Sequence, residues 1–309
     1  MKSVKRLTGA CVLMAGILLA GGCGVGEINE DNEEKLSIVV TLSFFEDMVQ
    51  QVGRDKVEVT PLVPVGVEPE EYDPRPADIR AIHDADIFIY NGLNMERWLP
   101  RVKPDFKEKE NYFALAEQPS LETIPLPSGP FEGDPDPHLW TNVAYAREYV
   151  DFIAGILGER DEENREVYRE NALEYSKELK TLEEWIEKEV EKIPREERLL
   201  VTSELCFQYF AEAYGFYHDA IWPINAPEEG SPSQIRRIIG IIEEKQPPAV
   251  FVENQVDHRP MERVSRETGV PIKGVLFSDS LSEPGEGGES YVKMMESNTR
   301  QIVNALKEE

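Results

Sequence analysis

Residues 162–193 read EENREVYRENALEYSKELKTLEEWIEKEVEKI. The run holds no glycine and no proline, and good helix formers dominate it. Its apolar residues Val167, Leu173, Tyr175, Leu179, Leu182 and Ile186 recur at mostly helical spacing. The pattern predicts one helix over 162–193, ~48 Å long, which Pro194 stops. A helix of that length need not fit inside one lobe, so it is a candidate strut between two. The competing reading is a helical hairpin with an unmarked turn, although no turn residue interrupts the run.

Outward from this helix, strand and helix signals alternate. On its N-terminal side, 37–42, 57–63 and 86–90 read as short apolar strands, with helices over 44–52 and 76–85. On its C-terminal side the strands are 199–203, 221–224, 249–253 and 272–277. The helices there are 207–214, 233–245, 260–268 and 291–309. Such alternation of short buried strands with helices argues for mainly parallel sheets. The expected fold class is α/β: two lobes, each a mainly parallel sheet flanked by helices, joined by one long rigid helix. The expected division is an N-terminal lobe over 36–161, the linking helix over 162–193 and a C-terminal lobe over 194–309. No Walker-type lysine motif or glycine fingerprint follows any strand.

The first residues read as an export signal over 1–22. Lys2, Lys5 and Arg6 precede an apolar run from Leu7 to Ala20, which is short for a membrane span. Leu19-Ala20-Gly21-Gly22-Cys23 resembles a bacterial lipobox, in which Cys23 becomes the lipidated first residue. The competing reading is an ordinary signal peptide or a signal anchor with an incidental cysteine. Residues 23–35 are glycine-rich, then acidic, and read as a flexible tether. Cys11 leaves with the signal, so Cys206 is the one remaining unlipidated cysteine and no internal disulfide is expected. Lys and Arg number 33 against 60 Asp and Glu, for a formal net charge of −27. That balance argues against nucleic acid as a partner.

Four histidines occur in the chain. One of them, His138, sits in Asp134-Pro135-Asp136-Pro137-His138-Leu139-Trp140, where two prolines restrict the backbone and two carboxylates lie directly upstream. Ligands of open α/β sheets gather beyond the carboxyl ends of the strands. By that rule the residues to inspect are the acidic segment 64–74, the His138 loop, Glu204 and Asp279. Each carboxylate could equally be an exposed loop acid or a helix cap. If several converged, each pair ~4 Å apart would repel by roughly 4 kcal/mol at an effective dielectric of about 20. A converged site therefore implies a bound cation.

Several motifs in order carry a resemblance over nearly the whole mature chain. They are Val63-Pro64-Val65-Gly66 with Glu71-Tyr72-Asp73-Pro74, Asp136-Pro137-His138-Leu139-Trp140, Val201-Thr202-Ser203-Glu204 with Phe207 and Tyr209-Phe210, Val252-Glu253 with Arg259-Pro260-Met261, and Ser278-Asp279-Ser280. In these the chain resembles the metal-binding lipoproteins that serve as solute-binding proteins of manganese, zinc or iron ABC transporters. The resemblance implies metal held between two lobes by His138, Glu204 and Asp279. Glutamate at the third of the four ligand positions is the pattern of the manganese-type, adhesin-like branch, and the His-rich loop common in zinc-type members is absent. At the first ligand the family has histidine where this chain has Glu70. Either Glu70 replaces that histidine as a ligand, or it turns away and binding is weakened or lost.

With Glu70 included, three carboxylates and a neutral imidazole around a divalent ion sum to about −1, and an oxygen-rich set favours Mn²⁺ or Fe²⁺ over Zn²⁺. The resemblance further implies an extracytoplasmic monomer held to the membrane by lipidated Cys23. Its partners would be an ABC permease and the permease's cytoplasmic ATPase. One alternative is a surface adhesion lipoprotein that keeps the fold with weak or no transport. Another is a metal-dependent hydrolase, although no separate general base presents itself. Cys206, two residues past Glu204, is expected to be buried in the helix that follows.

Overall fold

The computed structural model describes residues 35–102, 110–225 and 230–307. The signal segment, Cys23 and most of the tether lie outside them. The N-terminal lobe runs β1 (Leu36–Val40), α1 (Ser43–Gly53), β2 (Val57–Pro61), α2 (Pro76–Asp84), β3 (Ile87–Tyr90), α3 (Leu99–Val102) and β4 (Tyr112–Ala114). Its four strands form one parallel sheet in the order β2-β1-β3-β4. Alternation along the strands covers both faces. Ile38 and Val40 of β1 with Ile87 and Ile89 of β3 point into one core. Val39, Phe88 and Tyr90 point into the other.

Two helices follow, α4 (Val143–Arg160) and α5 (Arg165–Val190), packed on each other along their length. The long helix is present, but its ends fall inside the expected 162–193. Residues 161–164 make the turn from α4, where the Asp161 carboxylate accepts from the Asn164 backbone N–H at 3.2 Å and the Tyr168 hydroxyl at 2.6 Å. The buried stripe is Tyr168, Ala172, Tyr175, Leu179, Leu182, Ile186 and Val190. Val167 and Leu173, expected on that stripe, are exposed. Each large residue fully buried here contributes about 1.5–3 kcal/mol, which offsets the entropy of ordering a surface rich in long charged side chains. Helix α4 carries no clear one-sided pattern. Its partly exposed flank holds Tyr145, Phe152 and Ala154, so apolar residues run around most of it. Helix α5 touches both α1 of the first lobe and α9 of the second.

The second lobe runs β5 (Leu199–Glu204), α6 (Gln208–Tyr214), β6 (Tyr217–Trp222), α7 (Pro232–Lys245), β7 (Val250–Glu253), α8 (Arg259–Thr268), β8 (Ile272–Leu276) and α9 (Tyr291–Leu306). Strands β5-β6 and β7-β8 form parallel pairs, and β7 lies beside β5. The order β6-β5-β7-β8 thus repeats that of the first lobe. Leu200 and Phe251 face the core shared with the first lobe, whereas Val201, Val250 and Val252 face a separate one. Three expected positions are corrected. Strand β6 begins at Tyr217, well before Ile221. Glu204 ends its strand instead of following it. Cys206 is buried, but in the turn before α6. Among the described residues, no helix is long and apolar enough to cross a membrane.

Candidate metal centre

Four loops or strand ends meet between the lobes. The first carries Glu70, between β2 and α2. Its backbone is fixed by the Trp98 indole N–H, which donates to the Pro69 carbonyl at 3.1 Å, while Tyr72 packs edge-on against the same indole. Glu70 points inward and is 3% exposed.

His138 ends a loop that cannot be helical because of its prolines, and the loop is pinned from both sides. The Asp136 N–H donates to Ile124 O at 2.8 Å, and the Asn91 amide donates to Pro137 O at 3.0 Å. His138 Nδ1 lies 2.6 Å from Asp136 Oδ1. An ionised carboxylate only accepts, so Nδ1 carries a proton, and Nε2 is the nitrogen whose lone pair an ion at the centre would take in place of a proton.

Glu204 comes from the end of β5 and Asp279 from the turn after β8. Gln255 donates to Asp279 Oδ2 at 2.8 Å and to the Ser278 hydroxyl at 2.6 Å. Glu204 Oε1 accepts from the Asn225 N–H at 2.9 Å. All four side chains are buried, and one ligand atom from each lies within 4.8 Å of the other three. His138 Nε2 is 3.4 Å from Asp279 Oδ1 and 3.8 Å from Glu204 Oε1. Neither contact has hydrogen-bond geometry: Glu70 Oε1, His138 Nε2, Glu204 Oε2 and Asp279 Oδ1 are all buried without a hydrogen-bond partner. Buried acceptors are seldom left unpaired, because each costs about 1–3 kcal/mol.

The electrostatics agree with the geometry. Burial, then the Asp279 charge, pushes the Glu70 carboxyl up to about 8; His138 and Arg97 pull against that shift. Glu204 is raised well above the usual range by burial and by Glu70 and Asp279. Burial works to lower the His138 pKa, but the Asp136 and Asp279 carboxylates outweigh it and hold it well above the ordinary value. Three acids and a histidine in one buried pocket repel or take up protons until a cation replaces them. Three oxygen donors, one nitrogen and no sulfur suit a hard to borderline divalent metal.

All four residues expected at the site lie together. What the sequence reading did not assign are the groups that hold them. Asp136 fixes the His138 tautomer. Asn225 lies three residues past the end of β6. Glu253, buried at the end of β7, accepts from the N–H groups of Ser203 and Glu204 at 3.1 and 3.2 Å. Burial pushes its carboxyl up to about 8. Cys206 Sγ sits 3.7 Å from the Glu204 carbonyl and 3.9 Å from Glu253 Oε1, and it is not one of the four clustered residues.

Residues 38–305 match the family described as zinc-uptake complex component A, periplasmic. The manganese-binding lipoprotein MntA of Halalkalibacterium halodurans is 38% identical over 307 residues, covering 99% of this chain and 100% of that one. The manganese ABC transporter substrate-binding lipoprotein PsaA of Streptococcus pneumoniae is 35% identical over 98% of this chain and 99% of its own. Among solved structures, the periplasmic zinc-binding protein TroA of Treponema pallidum superposes with a TM-score of 0.81 at 26% identity, covering 89% of this chain and all of that one. A manganese-bound periplasmic metal-binding protein of Candidatus Liberibacter asiaticus does so at 0.79 and 29%, covering 88% of this chain and all of that one. With its fold, its matched length and these relatives taken together, the chain belongs to the zinc-uptake component A family of metal-binding proteins of ABC transporters.

Proposed function

We propose that this protein captures one divalent transition metal, Mn²⁺ before Zn²⁺, between its lobes and hands it to an ABC permease driven by a cytoplasmic ATPase. Glu70, His138, Glu204 and Asp279 hold the ion. The observation that carries this reading is the convergence of four buried side chains with ligand atoms within 4.8 Å of one another, each side chain keeping one buried atom without a hydrogen-bond partner. Replacing the family's histidine by Glu70 hardens the donor set, which supports Mn²⁺ and also admits Fe²⁺.

In this reading residues 36–161 and 194–309 are the jaws and 162–193 is the strut. The protein works as a monomer outside the cytoplasm, held to the membrane through lipidated Cys23. The relatives' names point to transport in preference to adhesion. No bond of the cargo is made or broken other than its coordination, so no catalytic group is assigned.

The test is elemental analysis of protein purified without added metal, followed by titration of apo-protein with Mn²⁺, Fe²⁺ and Zn²⁺ in competition. One equivalent of Mn²⁺ or iron retained against Zn²⁺ is the expected result. Retention of Zn²⁺ alone would overturn the selectivity, and retention of no metal would overturn the capture reading.

A further inference from the structure

We propose that Arg97 is a positioning residue of the site: through Asn225 it ties the two lobes together and holds Glu70 and Glu204 in place. This deepens the metal-capture reading and rests on it.

The segment 96–98 touches three parts of the site's surroundings. Glu96 is buried and accepts from the Thr41 hydroxyl at 2.7 Å and from the N–H groups of Asn91 and Gly92 at 2.8 and 3.1 Å. It thereby locks the ends of β1 and β3. Trp98 holds the backbone next to Glu70 through its bond to Pro69. Arg97, between them, reaches out of the first lobe and donates to the Asn225 carbonyl in the second. Its guanidinium lies over the Phe131 ring at 4.7 Å, which limits where the charge can go.

Asn225 is the receiving half. It is fully buried, and its side-chain carbonyl accepts from the Trp222 indole at 2.9 Å, which fixes the amide's orientation. The backbone N–H then donates to Glu204 Oε1 at 2.9 Å, and the side-chain amide reaches Glu70 Oε2 at 3.5 Å. One residue thus engages one carboxylate from each lobe and takes one oxygen of each. The oxygens left over, Glu70 Oε1 and Glu204 Oε2, are buried and have no hydrogen-bond partner. Pulling on the Asn225 carbonyl, Arg97 sets the position of both donors. With histidine at position 70 the Asn225 amide loses its carboxylate partner, and Glu204 alone stays on the tie. Arg97 and Glu70 are therefore coupled through Asn225, without an ion pair between them.

A double-mutant cycle tests this. Mn²⁺ affinity is measured by competition with a chelator for wild type, Arg97→Gln, Arg97→Lys, Glu70→His and Glu70→His/Arg97→Gln, each checked for native circular dichroism. We expect Arg97→Gln to weaken Mn²⁺ binding roughly 10- to 100-fold, the range for loss of a group supporting metal ligands. Arg97→Lys keeps a donor for the Asn225 carbonyl and recovers most of that loss. In the Glu70→His background the same Gln substitution costs less, about 3- to 10-fold, because only the Glu204 half of the tie remains. An Arg97→Gln protein that binds as wild type does, or an equal loss in both backgrounds, overturns the inference while leaving metal capture intact. A wild-type protein that binds no Mn²⁺, Fe²⁺ or Zn²⁺ removes the capture reading itself.

Discussion

Helix α5 and the site between the lobes are both dense in carboxylates, yet the two acidic regions behave oppositely. On α5 an acid such as Glu166 is 70% exposed and meets Arg169 at 3.0 Å one turn away. Water and a flexible cation solvate it, and the pair is worth at most about 0.5 kcal/mol. At the site Glu70, Glu204 and Asp279 are 3%, 0% and 1% exposed. Among the described residues, no lysine or arginine forms an ion pair with any of them. Acidity alone therefore marks nothing in a chain with 60 acidic residues. Burial of acids without a cation does.

The sharpest way to break that contrast is to supply the cation. Mn²⁺ at about 1,000 times its Kd should stabilise the fold by about 4 kcal/mol, raising the calorimetric Tm by about 10 °C. A protein that binds no ion would show no rise. Removing the nitrogen donor comes next. His138→Ala should weaken Mn²⁺ binding by more than about 100-fold, beyond the usual effect of losing an outer-shell partner. Isothermal titration that returns a near-native Kd would move the site elsewhere.

The proton linkage has a defined sign. Glu70 is raised from the ordinary 4.5 to about 8, so the folded protein keeps a proton that the unfolded chain releases. That contribution to apo stability is complete below pH 4.5 and is lost as pH climbs through about 8. Metal must displace the same proton. Mn²⁺ affinity should therefore rise with pH by up to about tenfold per unit between about 5 and 8, while apo Tm falls. Titrations in buffers of different ionisation enthalpy count the protons released, and a count of zero at pH 6.5 contradicts the assignment.

A smaller effect separates the two acidic regions directly. Glu204→Gln replaces an acid whose ionisation burial and its neighbours disfavour, so it should change apo stability by no more than about 1 kcal/mol while abolishing the gain from Mn²⁺. Smallest of all, Glu166→Ala on α5 should change urea-unfolding stability by less than about 0.5 kcal/mol, with or without metal.

What was legible in the sequence follows from the range of the interactions involved. Helix α5 was readable because 26 residues of one periodicity sum many weak preferences. Helix α4 was not, since its apolar residues spread around it. Strand β4, at three residues, is too short to leave a pattern. Strand ends and a stiff proline loop are local features, so the segments that hold the four site residues were reachable, and the family resemblance singled out the residues within them. Their supports were not reachable. Asn225 meets Glu70 across 155 positions, and Arg97 meets Asn225 across 128. No window on the chain contains such a pair. Asp136 was the exception: two residues from His138 in a proline-fixed loop, its role could have been read from spacing.

The burial of all four inward-facing side chains has a kinetic meaning. A pocket with no exposed member has no surface door. Whatever sits inside exchanges with solution only as often as the protein parts around it, so its dwell time is a property of the hinge as much as of the bonds. Two ions of unequal affinity could then leave at similar rates, with discrimination made on entry. A receptor that pries the lobes apart would empty the pocket faster than any change in the ion's own chemistry.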